Sequence, residues 1–197
     1  MHSHKYRFTG HTRTYQGRTL KRIARIRDGL LGGWIESAAN LSQSGDCFVY
    51  DEAKVFGRAY VSGNAWISER CEVTDEAEIS GDAHICGESS VRGKAVVSGG
   101  ACIMGNADIS GEARIKEKAI VRGSARVTDE AVVKGMALVH GTAFLCGQRL
   151  VAGQNRISED RNYEEDAKIA KSQLKPGHPC RCELHIIMAR GCLCGGY

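Results

Sequence analysis

The feature that most constrains this chain is a six-residue repeat that runs from Asp46 to Arg156 without a break in register. Each repeat has a small residue, then any residue, then an aliphatic residue, and usually Gly two residues later. The small position runs from Cys47 to Ala143, and the aliphatic position runs from Val49 to Val151. A short fixed period of this kind is typical of repeat architectures, in which each unit packs mainly against its neighbours.

The repeat excludes an α-helix. At about 100° per residue, positions two and six residues apart scatter around a helix axis and form no apolar stripe. The small and aliphatic residues of one repeat instead share one face of a β-strand, because side chains alternate along a strand. A short strand and a corner every six residues predict a chain that coils in one sense and stacks on itself, which is a β-solenoid. Three repeats per coil would give about six coils.

The residues also carry a resemblance to a known family. The array resembles the left-handed, three-sided β-helix of the hexapeptide-repeat proteins, an architecture of many acyltransferases and nucleotidyltransferases. The segments Leu31–Glu36 (Leu-Gly-Gly-Trp-Ile-Glu), Asn40–Ser42 and Gly45–Cys47 more narrowly resemble a bacterial and prophage group with a Gly-Gly-Trp motif. That group is taken to consist of hexapeptide acyltransferases or polymer-forming proteins. The resemblance covers roughly residues 5–157 and implies an all-β fold.

Four segments follow from these patterns. We predict a basic N-terminal cap at 1–45, the β-helix at 46–157, a capping helix at 158–175 and a Cys-rich tail at 176–197. The helix begins where Ser158 can act as N-cap before acidic residues, and it ends before a Pro-Gly pair.

The end of a solenoid exposes its core and its backbone hydrogen-bonding groups, so it needs a cover. Trp34 and Ile35 are the predicted plug of the N-terminal end.

Sorting the outward positions by eighteen residues separates the three sides of the predicted coil. The second column, from Lys54 to Phe144, is charged, and the third, from Tyr60 to Leu150, is mixed. The first column, which starts at Phe48, is the apolar one. Contiguous apolar surface usually marks an interface, so this column predicts a homo-oligomer, with a closed trimer favoured. The alternative is that outward Val and Phe are simply good strand formers. The first column is mostly apolar and consists of Phe48, Trp66, His84, Cys102, Ile120 and Leu138.

His84 and His140 are the histidines of the array and its candidate catalytic residues. The resemblance implies a histidine that acts as general base and a CoA-type donor bound between adjacent prisms, often beside a protruding loop. The array has no insertion that would form such a loop, and the predicted neighbours of His140 include no carboxylate to orient it. A soft metal at His84, Cys86 and Cys102 would lack a clear fourth ligand.

Residues 1–27 contain eight Lys or Arg and no acidic residue, whereas the whole chain has a formal net charge of +4. The alternative interpretations of this basic patch are a site for nucleic acid or a small anionic ligand and a solvated strand face. Its candidate residues are Arg18, Lys21, Arg22, Arg25 and Arg27.

The tail contains four candidate zinc ligands in two Cys-x-Cys pairs, Cys180 with Cys182 and Cys192 with Cys194. Four thiolates can hold zinc tetrahedrally, but two intervening residues are the commoner spacing. The alternative is a tail with no ordered role. No other cofactor is expected.

No apolar run approaches the ~18 residues of a membrane span, and the first residues, Met1 to His4, do not resemble a signal peptide. We therefore expect no membrane segment, reduced thiols and a cytoplasmic protein.

The unbroken register, the lack of a catalytic loop and the apolar column favour a non-catalytic scaffold. Such a protein would present flat faces to a partner or to copies of itself. The alternative is a hexapeptide-type acyltransferase that uses a CoA-type donor at a subunit interface, and a third hypothesis is anion binding by the cap. Ice binding is disfavoured because no outward column forms a regular Thr ladder.

Overall fold

The computed structural model describes residues 4–158, which form an all-β solenoid of about seven turns with almost no helix. A hairpin of β1 (Tyr6–Tyr15) and β2 (Arg18–Arg25) leads into β3 (Leu31–Ile35) and a 3₁₀ helix at Ala38–Asn40. Two-residue strands, β4 to β22, then recur every six residues. The predicted fold class is confirmed, whereas the predicted helix beyond Ser158 and the Cys-rich tail lie outside the described residues.

Consecutive short strands enter three different sheets in turn, and strands three apart pair in parallel. The seven-stranded sheet contains β4 (Phe48–Val49), β7 (Trp66–Ile67), β10 (His84–Ile85), β13 (Cys102–Ile103), β16 (Ile120–Val121), β19 (Leu138–Val139) and β22 (Arg156–Ile157). The six-stranded sheet contains β6 (Tyr60–Val61), β9 (Glu78–Ile79), β12 (Val96–Val97), β15 (Arg114–Ile115), β18 (Val132–Val133) and β21 (Leu150–Val151). The nine-stranded sheet contains β1 to β3 and then β5 (Lys54–Val55), β8 (Glu72–Val73), β11 (Ser90–Val91), β14 (Asp108–Ile109), β17 (Arg126–Val127) and β20 (Phe144–Leu145).

The core is a stack of the small and aliphatic positions of the repeat. Ala83 and Ile85 are fully buried, as are their equivalents in the coils above and below. Cys47 and Cys71 occupy the small position and are also fully buried, so they serve as small apolar side chains. The residue between the small and aliphatic positions of each repeat points to the outer surface, because side chains alternate along a strand.

The corners require a backbone with positive φ. Gly81 has a φ of 70°, and a Cβ on it would lie 2.8 Å from the backbone nitrogen of Gly99 in the next coil. Acidic residues take the same conformation where Gly is missing, at Asp51, Glu69, Asp75, Glu117 and Asp129. Asp75 Oδ2 accepts a hydrogen bond from Gly93 N–H at 2.9 Å, and Asp129 Oδ2 accepts one from Gly147 N–H at 2.8 Å. These bonds to the next coil offset part of the cost of a left-handed conformation.

The first turn begins before residue 46, which corrects the predicted boundary of the cap. Strand β3 pairs in parallel with β5, and Leu41 bridges Val61 in parallel. These partners are twenty residues apart, because the corner after Leu41 is two residues longer than the others. The longer corner breaks the eighteen-residue spacing and hides the first turn in the sequence. This turn accounts for the difference between about six predicted coils and about seven observed turns.

The hairpin covers the N-terminal end of the core. Ile23 is fully buried against the first turn together with Tyr6, whose hydroxyl donates to the carbonyls of Ala38 and Leu41 at 3.3 and 3.2 Å. Ile35 is fully buried in the same cluster, as expected for a plug.

Trp34 does not enter the core, which corrects its predicted role. It precedes Ile35 on the same strand and therefore points to the opposite side of the sheet. There it packs with Leu20 and Phe56, and its Nε1 donates to Glu52 Oε2 at 3.0 Å.

Candidate functional site

The predicted apolar column forms one continuous ladder on the seven-stranded sheet. His84 pairs with Trp66 on one side and with Cys102 on the other, and the ladder continues through Ile120 and Leu138. The backbone N–H groups of Trp66, His84 and Cys102 each donate to a carbonyl in the next coil at 2.9 Å. The eighteen-residue spacing therefore identified true neighbours.

Phe48 does not belong to the exposed part of this ladder, which corrects its assignment to an interface. It is 1% exposed, because the N-terminal cap covers it. The Arg25 guanidinium lies 5.5 Å from the centroid of the Phe48 ring, and the ring of Tyr50 packs edge-on at 5.0 Å.

The accessible surface begins at Trp66, which is 47% exposed. Met136, in the column just before the strands, is 62% exposed beside the ladder. Met104, in the column just after the strands, is half-buried. We define the apolar face as Trp66, His84, Cys102, Met104, Ile120, Met136 and Leu138.

The aromatic rings at the N-terminal half of the apolar face stack on one another. Trp66 and His84 lie parallel, with ring centroids 4.9 Å apart and an interplanar angle of 8°. Tyr50 contacts Trp66 from the preceding coil at 5.8 Å. The His84 ring therefore covers one face of the Trp66 indole, and the tilted ring of Tyr50 packs against the indole from the coil before. The exposed part of Trp66 adds apolar contact area to this side of the prism.

The outer surfaces of the other two sides carry ion pairs between successive coils. Lys54 pairs with Glu72 at 3.0 Å and Arg70 with Glu88 at 3.1 Å. Further pairs join Arg58 with Glu76, Arg92 with Asp108 and Lys94 with Glu112. These charges satisfy one another within the chain, which distinguishes both sides from the apolar face.

The two candidate catalytic histidines have no orienting carboxylate within residues 4–158. The His84 ring stacks on Trp66, and the backbone N–H of His140 donates to Ile157 O at 2.8 Å. The two histidines belong to coils that are three apart on the same sheet, so they do not form one site.

His84, Cys86 and Cys102, which the sequence already disfavours as ligands of a soft metal, do not form a metal site, because residues 4–158 contain no group of three or more ligands placed to hold a metal. Burial raises the pKa of the Cys86 and Cys102 thiols, and it raises that of Cys71 to about 11. All three thiols are protonated at neutral pH and are poor nucleophiles. The predicted zinc ligands Cys180, Cys182, Cys192 and Cys194 lie outside the described residues.

Most of the predicted basic patch is neutralised by carboxylates that lie later in the sequence. Ion pairs join Arg18 to Glu36 at 3.1 Å, Arg22 to Glu52 at 3.0 Å and Arg25 to Asp28 at 2.6 Å. Arg27 also approaches Asp28, at 3.8 Å, and Lys21 lies over the ring of Phe8.

The hydrogen bond from Arg25 holds the pKa of Asp28 well below its usual range, at about 2. This carboxylate therefore stays ionised over the physiological range. The paired charges favour the solvated strand face over an anion site.

A shallow groove of about 460 Å³ lies at a corner beside the cap and is lined by Arg18, Glu36, Arg58 and Glu76. The charged side chains of the groove form ion pairs with one another, and both candidate histidines belong to a different side of the prism, that of the seven-stranded sheet.

No helix among residues 4–158 has the length and hydrophobicity needed to cross a bilayer. The chain matches no model of a known protein family, and a search of curated proteins found no similar sequence.

Proposed function

We propose that this protein is a non-catalytic β-helical scaffold that self-associates through the apolar face. The observation that carries the proposal is the contrast between the three sides of the prism. The seven-stranded sheet exposes Trp66 and Met136 beside half-buried Ile120 and Leu138. Several charges on the other two sides are paired within the chain. Exposed contiguous apolar surface beside polar surface is typical of an interaction site.

The regular core supports a structural role. Parallel hydrogen bonds of about 2.9 Å link every coil to the next, and no loop interrupts the strands from β4 to β22. A rigid prism of this kind holds its outward side chains at fixed spacing, which suits a surface that binds copies of itself. The groove of residues 4–158 that Arg18, Glu36, Arg58 and Glu76 line is open to solvent, so it would not exclude water from a reaction.

The experiment is light scattering of the full chain over a range of concentrations. Wild type is expected to self-associate, and Trp66→Glu is expected to be monomeric, because it places an unpaired charge within the buried contact. Tyr60→Glu is the matched control. Tyr60 is 42% exposed on the six-stranded sheet, against 47% for Trp66, and its substitution should leave the association unchanged.

A monomeric wild type at all concentrations would remove the proposal, and so would equal effects of the two substitutions. Titration calorimetry with acetyl-CoA tests the acyltransferase alternative independently. Micromolar binding that is lost in His84→Ala or His140→Ala would overturn the scaffold in favour of an enzyme with a CoA-type donor.

The proposal extends to the family and the compartment. The resemblance to the hexapeptide-repeat proteins and to the bacterial and prophage group with the Gly-Gly-Trp motif is consistent with a polymer-forming role. Cys47, Cys71, Cys86, Cys102 and Cys146 are free thiols, which is consistent with a reducing compartment such as the cytoplasm.

A further inference from the structure

We infer that two copies of this chain pair through the apolar face with their solenoid axes antiparallel, about a twofold axis that passes over Cys102. The inference rests on the proposed self-association and specifies its geometry, in place of the closed trimer expected from the sequence. Three observations on the side of the seven-stranded sheet support it: a glycine that the fold does not need, two opposite charges outside the ion pairs of residues 4–158, and the order of the apolar side chains.

The glycine is Gly100, which lies two residues before Cys102 at the middle of the apolar face. It has no positive φ, and a Cβ placed on it would meet nothing closer than Glu117 O at 3.6 Å. Every other glycine of residues 4–158 has either a positive φ or a neighbour that a Cβ would strike. The fold therefore tolerates a side chain at Gly100. The absence of a side chain at Gly100 leaves the centre of the apolar face open to close approach by a second molecule.

The charges lie in the same column as Gly100, one coil to either side. Asp82 is in the preceding coil and Lys118 is in the following coil, and both are exposed. Asp82 accepts a hydrogen bond from Asn64 Nδ2 at 3.0 Å. The ion pairs formed within residues 4–158 include neither Asp82 nor Lys118. The two charges stand equally far from Gly100, one negative and one positive.

An antiparallel pairing satisfies both charges. When two such faces meet with opposed axes, each column lies against the same column of the other copy in reverse order. A twofold axis over Gly100 and Cys102 then places Asp82 opposite Lys118 of the second copy, twice in the dimer.

In a parallel pairing, the column just before the strands of one copy would lie against the column just after the strands of the other. Lys118 would then face Arg122 of the second copy. Arg122 is also exposed and outside the ion pairs of residues 4–158, so this arrangement places like charges together. Like charges in contact across an interface are disfavoured.

The apolar side chains match in the same antiparallel register. Two coils before Cys102 is Trp66, and two coils after it is Leu138, flanked by the exposed Met136. The bulky aromatic side chain of one copy thus meets the aliphatic patch of the other. A closed trimer would instead place the apolar face against a different side of its neighbour, because its contacts are heterologous. The nine-stranded sheet has a charged outward column, and that of the six-stranded sheet is mixed, with Glu78 and Arg114 among its apolar residues.

The first experiment is sedimentation of charge-reversed full chains. Asp82→Lys and Lys118→Asp are each expected to raise the dimer dissociation constant by roughly tenfold, since each variant creates two repulsive contacts. An equimolar mixture of the two variants is expected to recover wild-type affinity. In the mixed dimer the introduced lysine faces the introduced aspartate, and the unchanged Asp82 and Lys118 face each other in the second contact. Glu78→Lys, an exposed reversal on the six-stranded sheet, is the control and should change nothing.

The parallel pairing predicts the opposite result for one variant. There, the carboxylate introduced by Lys118→Asp would face Arg122 and strengthen association, and mixing would bring no recovery. Either outcome would overturn the antiparallel arrangement.

The second experiment is cross-linking with a short bismaleimide at mildly alkaline pH, where part of the Cys102 thiol is ionised and can react, followed by mass spectrometry. A Cys102 to Cys102 link is expected, because the twofold axis brings these two thiols together. Cys146 is equally half-buried but lies on another side of the prism, so it should form no such link.

The two proposals fail in different ways. Association that is lost in Trp66→Glu, without the charge effects and without the Cys102 link, would leave the scaffold standing and remove the antiparallel dimer. A monomeric wild type would remove both.

Discussion

At the scale of single residues, the corner position decides which amino acids the repeat accepts. The backbone there has a positive φ, near 70° at Gly99 and 60° at Asp75. Glycine adopts this conformation freely, whereas an acidic side chain must offset its strain. The hydrogen bond from Gly93 N–H to Asp75 provides that offset and also links two coils. The acidic residues in the glycine position are therefore functional parts of the corner and not departures from the repeat.

Gly99 and Gly100 provide a matched test of this account. Gly99→Ala forces a side chain into the left-handed region, with its Cβ 2.9 Å from the Glu117 nitrogen, so we expect a loss of about 1–3 kcal/mol in unfolding free energy. Gly100→Ala meets no such obstacle and should stabilise the monomer by about 0.4–1 kcal/mol, because it restricts the unfolded chain. Denaturant unfolding at low protein concentration measures both. Equal destabilisation would show that the corner geometry is not what selects glycine.

At the scale of elements, the hairpin of β1 and β2 solves the problem of an open solenoid end. It continues the nine-stranded sheet beyond β3 and places Ile23 and Tyr6 over the first turn. Gly32 and Gly33 permit this contact. A Cβ on Gly33 would lie 2.6 Å from Ala53 O, and one on Gly32 would lie 2.7 Å from Val49 O. The Gly-Gly-Trp motif therefore marks where the backbone of β3 approaches the first corners most closely.

The cover can be tested with two isoleucines of the same segment. Ile23→Ala opens a cavity between the hairpin and the first turn and should cost about 2–5 kcal/mol of unfolding free energy. Ile26→Ala is the control. Ile26 is 47% exposed, so its truncation should have little effect. Thermal or denaturant unfolding followed by circular dichroism makes the comparison. A small effect of Ile23→Ala would mean that the hairpin packs loosely and does not act as a cap.

At the scale of the whole molecule, the period of eighteen residues sets what each side of the prism presents. All repeats share the same interior, so the core does not distinguish one side from another. The sides differ only in their outward columns, where Trp66 is exposed on one sheet and Glu78 on the next. A shift of the sequence by one six-residue repeat would therefore keep the core intact and move each outward side chain to another side of the prism.

Two internal deletions test this separation of core and surface. Deleting residues 106–111 should leave a folded solenoid in which Ile120 and Leu138 move to another side, so self-association should be lost. Deleting residues 106–123 removes one whole coil and keeps Leu138 on the same side as Trp66, so it should associate more strongly than the shorter deletion. Circular dichroism reports the fold and light scattering the association. Unfolding of the shorter deletion alone would show that the sides are not interchangeable.

The sequence by itself determined the architecture, because a repeat with buried small and aliphatic positions every six residues can satisfy its core and its backbone only as a stacked coil. The same spacing correctly assigned the neighbours of His84, since stacking converts a distance along the chain into a contact. Only the tertiary structure decided where the first turn begins, because a corner two residues longer than the rest breaks the period after Leu41. It also decided which outward residues are accessible. Phe48 is hidden by a cap that comes from elsewhere in the chain, and the arginines of that cap find carboxylates that no local pattern predicts.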